Sequence, residues 1–153
     1  MVLSAGEQAP AFELLDNEGN LHKLSDYQGQ TIVIYFYPRD DTPGCTTEAC
    51  SFRDAYADFR EAGVEVIGIS PDNEGSHSKF IAKYQLPFVL LSDPDHQVSE
   101  AFGAWGLKKM YGREYKGVFR TTFVIGPDGK IKHVFENVKP ADHSQEVLEV
   151  VKA

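Results

Sequence analysis

Cys45 and Cys50 are the only thiols in 153 residues, and both lie in the stretch Thr42-Pro43-Gly44-Cys45-Thr46-Thr47-Glu48-Ala49-Cys50. Cysteine thiolates act as nucleophiles and as ligands for soft metals. The spacing differs from the Cys-x-x-Cys of thioredoxin-type pairs. It tolerates zinc, but the chain has no second cysteine pair, and His22, His77, His96, His133 and His143 include no two at zinc-binding separation. Redox chemistry therefore ranks ahead of metal binding.

The signals for a helix start coincide on Cys45. Thr42 is a good N-cap, Pro43 suits the first helical position, and Cys45 then falls at the third, where Glu or Gln would complete a capping box. A thiolate in that turn is stabilised by unpaired backbone N–H groups and by the positive end of the helix dipole. An ordinary thiol of pKa ~8.5 is only about 3% ionised at pH 7. Complete ionisation would raise the reactive fraction roughly 30-fold, or about 2 kcal/mol, while a lowered pKa also reduces nucleophilicity. Ionisation alone does not make a fast enzyme. The larger contribution has to come from donors aimed at the charge that develops on the attacked group. The candidates are the Thr42 hydroxyl, the backbone N–H groups at positions 44 and 45, and a cation from elsewhere in the chain.

In an intact helix, residues five apart are separated by a rise of ~7.5 Å and a turn of ~140°, which puts their Cα atoms about 8.7 Å apart. A disulfide needs about 7 Å or less. Bonding Cys45 to Cys50 therefore requires the first turns to unwind, which suits a two-step cycle: Cys45 reacts first, and opening then delivers Cys50. The competing explanation is that a lone helical cysteine beside Ser51-Phe52 is a small buried hydrophobe. Read by themselves, the residues favour that second explanation for Cys50.

Periodicity locates the elements that must position these thiols. Thr31-Ile32-Val33-Ile34-Tyr35-Phe36-Tyr37 is β-branched and aromatic without alternation, as in a central strand buried on both faces, and it breaks at Pro38. Ala49, Phe52, Tyr56 and Phe59 recur at helical spacing within residues 46–62, and Gly63 stops that helix. Strands follow at 64–69 and 88–91, with helices at 73–85 and 95–102. Asp93-Pro94-Asp95-His96 reads as turn and cap material rather than a metal site. Asp16–Asn20 is a turn between two short apolar runs, and Gly126-Pro127-Asp128-Gly129 separates strands at 120–125 and 130–135, so two hairpins are expected. A helix over 142–152 closes the chain. The pattern predicts an α/β fold with a mixed central sheet, flanking helices and an N-terminal β-hairpin. Residues 103–117 lose all periodicity and are expected as a long loop, with Trp105, Tyr111 and Tyr115 as packing anchors.

The length suits one domain spanning residues 1–153. A net charge of −8, with no basic run longer than Lys108-Lys109, argues against a nucleic-acid surface. The first residues carry no secretory signal pattern, and no segment approaches the ~18 apolar residues of a membrane span, so a cytoplasmic protein is expected. There a static disulfide is disfavoured. No Gly-x-Gly-x-x-Gly or phosphate loop is present, so no cofactor is expected. Glu48, one turn from Cys45, is either a proton relay or an ordinary surface residue of the helix, and the second is favoured.

Pro38-x-x-x-Thr42-x-x-Cys45 resembles the active-site signature of the peroxiredoxins, and Thr42-Pro43-Gly44-Cys45-Thr46-x-Glu48-Ala49-Cys50 is similar to the peroxiredoxin Q subfamily, also called bacterioferritin comigratory protein. The likeness spans nearly the whole chain, through Gly6-x-x-Ala9-Pro10-x-Phe12, Trp105-Gly106-x-Lys108 and Arg120-x-Thr122-Phe123. It implies a thioredoxin-like fold and thiol-dependent reduction of hydrogen peroxide and organic hydroperoxides. Carried over by residue, it casts Cys45 as the peroxidatic cysteine that becomes a sulfenic acid. Thr42 then hydrogen-bonds the peroxide, Pro38 shields the thiolate, and Arg120 is the missing cation. Cys50 matches the resolving cysteine of members that carry it on the same helix, which implies a Cys45–Cys50 disulfide reduced by thioredoxin or a similar dithiol. No cysteine follows Cys50, so a resolving thiol in a C-terminal arm is not expected. The resemblance also leans toward a monomer. Two rivals are a Cys-His hydrolase with a distant histidine as base and a non-catalytic thioredoxin-like binding module.

Overall fold

The computed structural model describes residues 2–152. At its centre is strand β3 (Thr31–Phe36), in which every residue after Thr31 is buried. Side chains alternate across a strand, so an unbroken apolar run needs cover on both faces. Val33 and Tyr35 point into a core with Ala49, Phe52 and Phe59 of helix α1 (Pro43–Glu61), Phe80 of α2 (Glu74–Tyr84) and Val147 and Leu148 of α4 (His143–Lys152). Ile32, Ile34 and Phe36 point the other way, against Phe12 and against Val98 of α3 (Gln97–Ala101) and the adjacent Phe102.

The companions of β3 in the main sheet are β1 (Glu13–Asp16), β2 (Leu21–Lys23), β4 (Val64–Ser70), β5 (Val89–Ser92), β8 (Thr121–Ile125) and β9 (Ile131–Phe135). With β3 they form a seven-stranded sheet in the order β2-β1-β5-β4-β3-β8-β9. The inner strands β3, β4 and β5 run parallel, while β1, β2, β8 and β9 pair antiparallel. This is the mixed sheet with flanking helices that the alternating pattern predicts, and both expected hairpins are present. In register, Phe36 of β3 faces Ile69 of β4 on one side and Thr121 of β8 on the other. The ends of β3 and β4 and the beginning of β8 therefore share one pole of the sheet.

Two local expectations are corrected. Residues 103–117 are not a loop: β6 (Trp105–Met110) and β7 (Arg113–Val118) pair antiparallel in a separate two-stranded ribbon. The turn is Tyr111-Gly112, both with positive φ (53° and 76°), where Asn-Gly is the familiar signal. Most of β7 is exposed on both faces, so no alternation of polarity marks it. Of the three aromatics only Trp105 is an anchor, stacked on His96 with centroids 3.7 Å apart, whereas Tyr111 and Tyr115 are exposed. The second correction concerns Thr42. It occupies the N-cap position of α1 in extended backbone, yet makes no capping hydrogen bond. Its hydroxyl turns back to donate to the Arg39 carbonyl at 3.0 Å.

Gly68 of β4 shows how tightly the sheet and α1 close. A Cβ there would stand 2.7 Å from Leu90 Cδ2 and 2.9 Å from the Tyr35 hydroxyl, which is buried with no hydrogen-bond partner among the described residues. Gly68→Ala should cost about 1–3 kcal/mol, read as a lower urea midpoint at unchanged slope. An unchanged midpoint would mean that Tyr35 and Leu90 move aside freely.

Candidate active site

The pole where β3 ends collects the turn at residues 38–42, the first turns of α1 and the residue that opens β8. Pro43 begins α1 and Cys45 is its third residue, as the helix-start signals require. Cys45 is only 1% exposed. Arg120 precedes Thr121, the register partner of Phe36, so the antiparallel pairing brings a residue 75 positions away to the helix start. Its Nη2 donates to Cys45 Sγ at 3.1 Å, and its Nη1 donates to Glu48 Oε1 at 3.1 Å. The Arg120 side chain is 20% exposed, so this arginine is not a solvated edge charge.

Gly44 makes that approach possible. A Cβ on it would lie 2.7 Å from Arg120 Nη2 and 3.6 Å from Pro140 Cγ. The glycine that follows Pro43 is therefore needed for the room it leaves beside the guanidinium, and its backbone has no positive φ.

Glu48 corrects an expectation. It does not sit on the helix surface but is fully buried, with Oε1 on Arg120 and no partner for Oε2 among the described residues. Burial pushes its pKa up to about 7, against the opposing pull of Arg120. The signal was in the spacing: Cys45, Glu48, Ala49 and Phe52 form one stripe at helical intervals, and all four are buried. Lys108 on β6 is a second cation facing this region. Burial, and then Arg120, hold its pKa below the ordinary lysine value, while Cys45 acts in the opposite sense.

The other expected residues are placed less directly. Pro38 is half-buried at the end of β3 and Thr42 is half-buried at the start of α1. Cys50 is half-buried further along α1, which runs unbroken through both cysteines, and both thiols are free. The structure thus brings Arg120 and Glu48 to Cys45 and leaves Cys50 apart from it. Among the described residues no histidine hydrogen-bonds Cys45; the buried His77 and His143 engage Asp40 and Thr122 instead. Among the same residues no three His, Cys, Asp or Glu side chains gather as metal ligands, and no helix is long and apolar enough to cross a membrane.

Residues 5–134 match the AhpC/TSA family. The chain belongs to this family of peroxiredoxins. It is 48% identical over 152 residues to the peroxiredoxin Bcp of Bacillus subtilis (strain 168), covering 99% of this chain and 97% of that one. It is also 48% identical over 150 residues to the peroxiredoxin Bcp of Escherichia coli (strain K12), covering 98% and 96%. A solved structure of Xanthomonas campestris peroxiredoxin Q superposes with a TM-score of 0.89 at 36% identity, covering 99% of this chain and 96% of that one. A structure of the bacterioferritin comigratory protein from the same organism, reported for its alkyl peroxide reduction activity, has a TM-score of 0.89 at 35% identity over the same shares. The peroxiredoxin fold is thioredoxin-like, and peroxiredoxins are thiol peroxidases. The fold and enzyme class implied by the motifs around Cys45 therefore hold for this chain.

Glu48 gives the stability a pH dependence of definite sign. Its folded pKa, about 7, lies above the ordinary 4.5, so folding favours the neutral acid. That contribution is complete below about pH 4.5 and is lost as pH rises to about 7, at most about 3 kcal/mol. Between those limits the unfolding free energy of the parent should fall relative to that of Glu48→Gln. Parallel curves would mean that the carboxylate is charged throughout.

Proposed function

We propose that Cys45 is the peroxidatic thiol, and the observation that carries this reading is the guanidinium of Arg120 at 3.1 Å from its sulfur. The Cys45 thiolate attacks the terminal oxygen of a hydroperoxide; an S–O bond forms as the O–O bond breaks. Sulfur is oxidised to sulfenic acid, and the departing oxygen leaves as water or an alcohol after gaining a proton. Arg120 stabilises the thiolate and the charge that builds on the peroxide oxygens. The Thr42 hydroxyl already donates to the Arg39 carbonyl, so its lone pairs are free to accept from the peroxide O–H. Pro38 shields the sulfur from water, and Glu48 holds the guanidinium in place.

Cys50 resolves the sulfenic acid. Its thiolate attacks the Cys45 sulfur, an S–S bond forms as the S–O bond breaks, and the sulfenic hydroxyl leaves as water after gaining a proton. In the continuous α1 the two positions are about 8.7 Å apart, beyond disulfide reach, so the first turns unwind for this step. Thioredoxin or a similar dithiol then reduces the disulfide, with the chain acting as a monomeric single domain over residues 1–153 in the cytoplasm. The alkyl peroxide reduction reported for the Xanthomonas protein supports organic hydroperoxides, beside hydrogen peroxide, as substrates.

After one equivalent of hydrogen peroxide, intact mass should show loss of two hydrogens and of both free thiols. Cys45→Ser should show no fast reaction, and Cys50→Ser should stop at a trapped sulfenic acid. Thiols persisting at the rate of free cysteine would sink the reading of Cys45, and a parent that keeps the Cys50 thiol while Cys45 stays a sulfenic acid would sink that of Cys50. Gly44→Ala, which crowds Arg120 away from the sulfur, should slow the peroxide step about tenfold or more. An unaltered rate would mean that the guanidinium does not act on the reacting atoms.

A further inference from the structure

The turn that carries Pro38 and Thr42 into α1 is held by two adjacent aspartates in opposite environments. Asp40 is buried. Its carboxylate accepts from Tyr37 Oη at 2.6 Å, Ser76 Oγ at 2.7 Å and His77 Nδ1 at 2.7 Å. Its own N–H donates to Asp72 Oδ2 at 2.7 Å, and Asp72 in turn is held by Ser70 Oγ at 2.7 Å. The His77 side chain is 0% exposed, and its other ring nitrogen faces the Leu91 carbonyl at 3.0 Å. The buried ring thus bridges Asp40 on one side and the backbone of β5 on the other. This network ties the turn to β3, the end of β4, α2 and β5 at once.

Asp41 has none of this cover. Its carboxylate meets Lys83 Nζ and Tyr84 Oη of α2, each at 2.8 Å, and the Lys83 and Asp41 side chains are 57% and 42% exposed. Its φ of 54° lies in the left-handed region, which aspartate and asparagine enter more readily than other residues with side chains but still at some cost. An exposed ion pair contributes little and is screened by salt, whereas parting a buried carboxylate from its partners leaves an uncompensated charge in a low dielectric. Of the two attachments, the one at Asp41 yields first.

We propose that the chain divides between these residues when Cys45 turns toward Cys50. Asp40, fixed by His77, is a positioning residue that keeps Pro38 in place. Asp41 is a latch that releases α2 as residues 41–48 unwind, and release also relieves its left-handed backbone. The proposal rests on the reading that Cys45 and Cys50 form a disulfide.

Rapid-quench intact mass on the reduced full chain separates the gain of one oxygen from the later loss of two hydrogens. Asp41→Asn keeps a residue that tolerates left-handed backbone, and Lys83→Gln removes the other partner. Each should speed the disulfide step about two- to fivefold while leaving the peroxide step unchanged. High salt should speed the parent likewise but not Asp41→Asn. Asp40→Asn should slow the peroxide step about tenfold or more through misplacement of the turn. If that variant does not fold, Ser76→Ala, which removes one hydrogen bond and leaves His77 on Asp40, should slow the step about two- to fivefold. In the reduced protein, Asp41→Asn should hasten amide exchange at 42–48 and not at 36–40. A disulfide step in Asp41→Asn no faster than the parent's, or exchange hastened equally on both sides of position 41, overturns the division. If the parent gains oxygen but never loses the two hydrogens, the reading of Cys50 has failed, and amide exchange alone decides the latch.

Discussion

One guanidinium serves a sulfur and a carboxylate at the buried mouth of a helix, and the rest of the structure is arranged around that contact. A charge removed from water is tolerable only when paired and hydrogen-bonded. Here the cation is shared between two groups: Arg120 donates through separate nitrogens to Cys45 and to Glu48, and the second oxygen of Glu48 has no partner among the described residues. The arrangement is therefore short of donors rather than saturated, and burial drives the carboxyl toward its neutral form against the pull of Arg120. When Glu48 is neutral, less of the Arg120 charge is offset there and more acts on the sulfur. The carboxyl and the sulfur share one cation.

The sheet exists, for functional purposes, to make that meeting unavoidable. Parallel pairing of β3 with β4 and antiparallel pairing of β3 with β8 send three chain segments to the same pole. Five buried residues of β3 fix its depth, and Phe36↔Thr121 fixes the register. A slip of one residue would turn every side chain of β8 to the opposite face and carry Arg120 away from the helix start. Gly44 supplies the last fraction of space. The precision of the site thus comes from apolar strands that never touch the chemistry.

Much of this was legible in the residues. The unbroken run of β3, the stripe of α1 and the turn at Gly126–Gly129 are local patterns with one reasonable interpretation each, and Pro43 with Cys45 set the register of the helix start. What stayed hidden was tertiary. The ribbon of β6 and β7 has little core to imprint alternation on it, and its turn uses Tyr111 where Asn or Asp would have given a signal. Arg120 has no local mark of function; only its motif resemblance pointed to it before the strand pairing did. Glu48 lay on a readable stripe, but a carboxylate there looks like an exposed residue until its distant partner is known. Asp40 and His77 are 37 positions apart, and no spacing links them.

The stacking of Trp105 on His96 gives the molecule a built-in optical gauge. Trp105 is the only tryptophan of the chain, and its ring lies 4° from parallel with the imidazole, joining the base of the ribbon to the start of α3. The neighbouring Ala104 carbonyl accepts from the Phe119 N–H at 2.7 Å, and Phe119 is followed directly by Arg120. Indole emission depends on what the ring is stacked against. A displacement of the Arg120 segment that moved Phe119 would reach that stack through Ala104, and intrinsic fluorescence would read it with no added dye and no altered side chain.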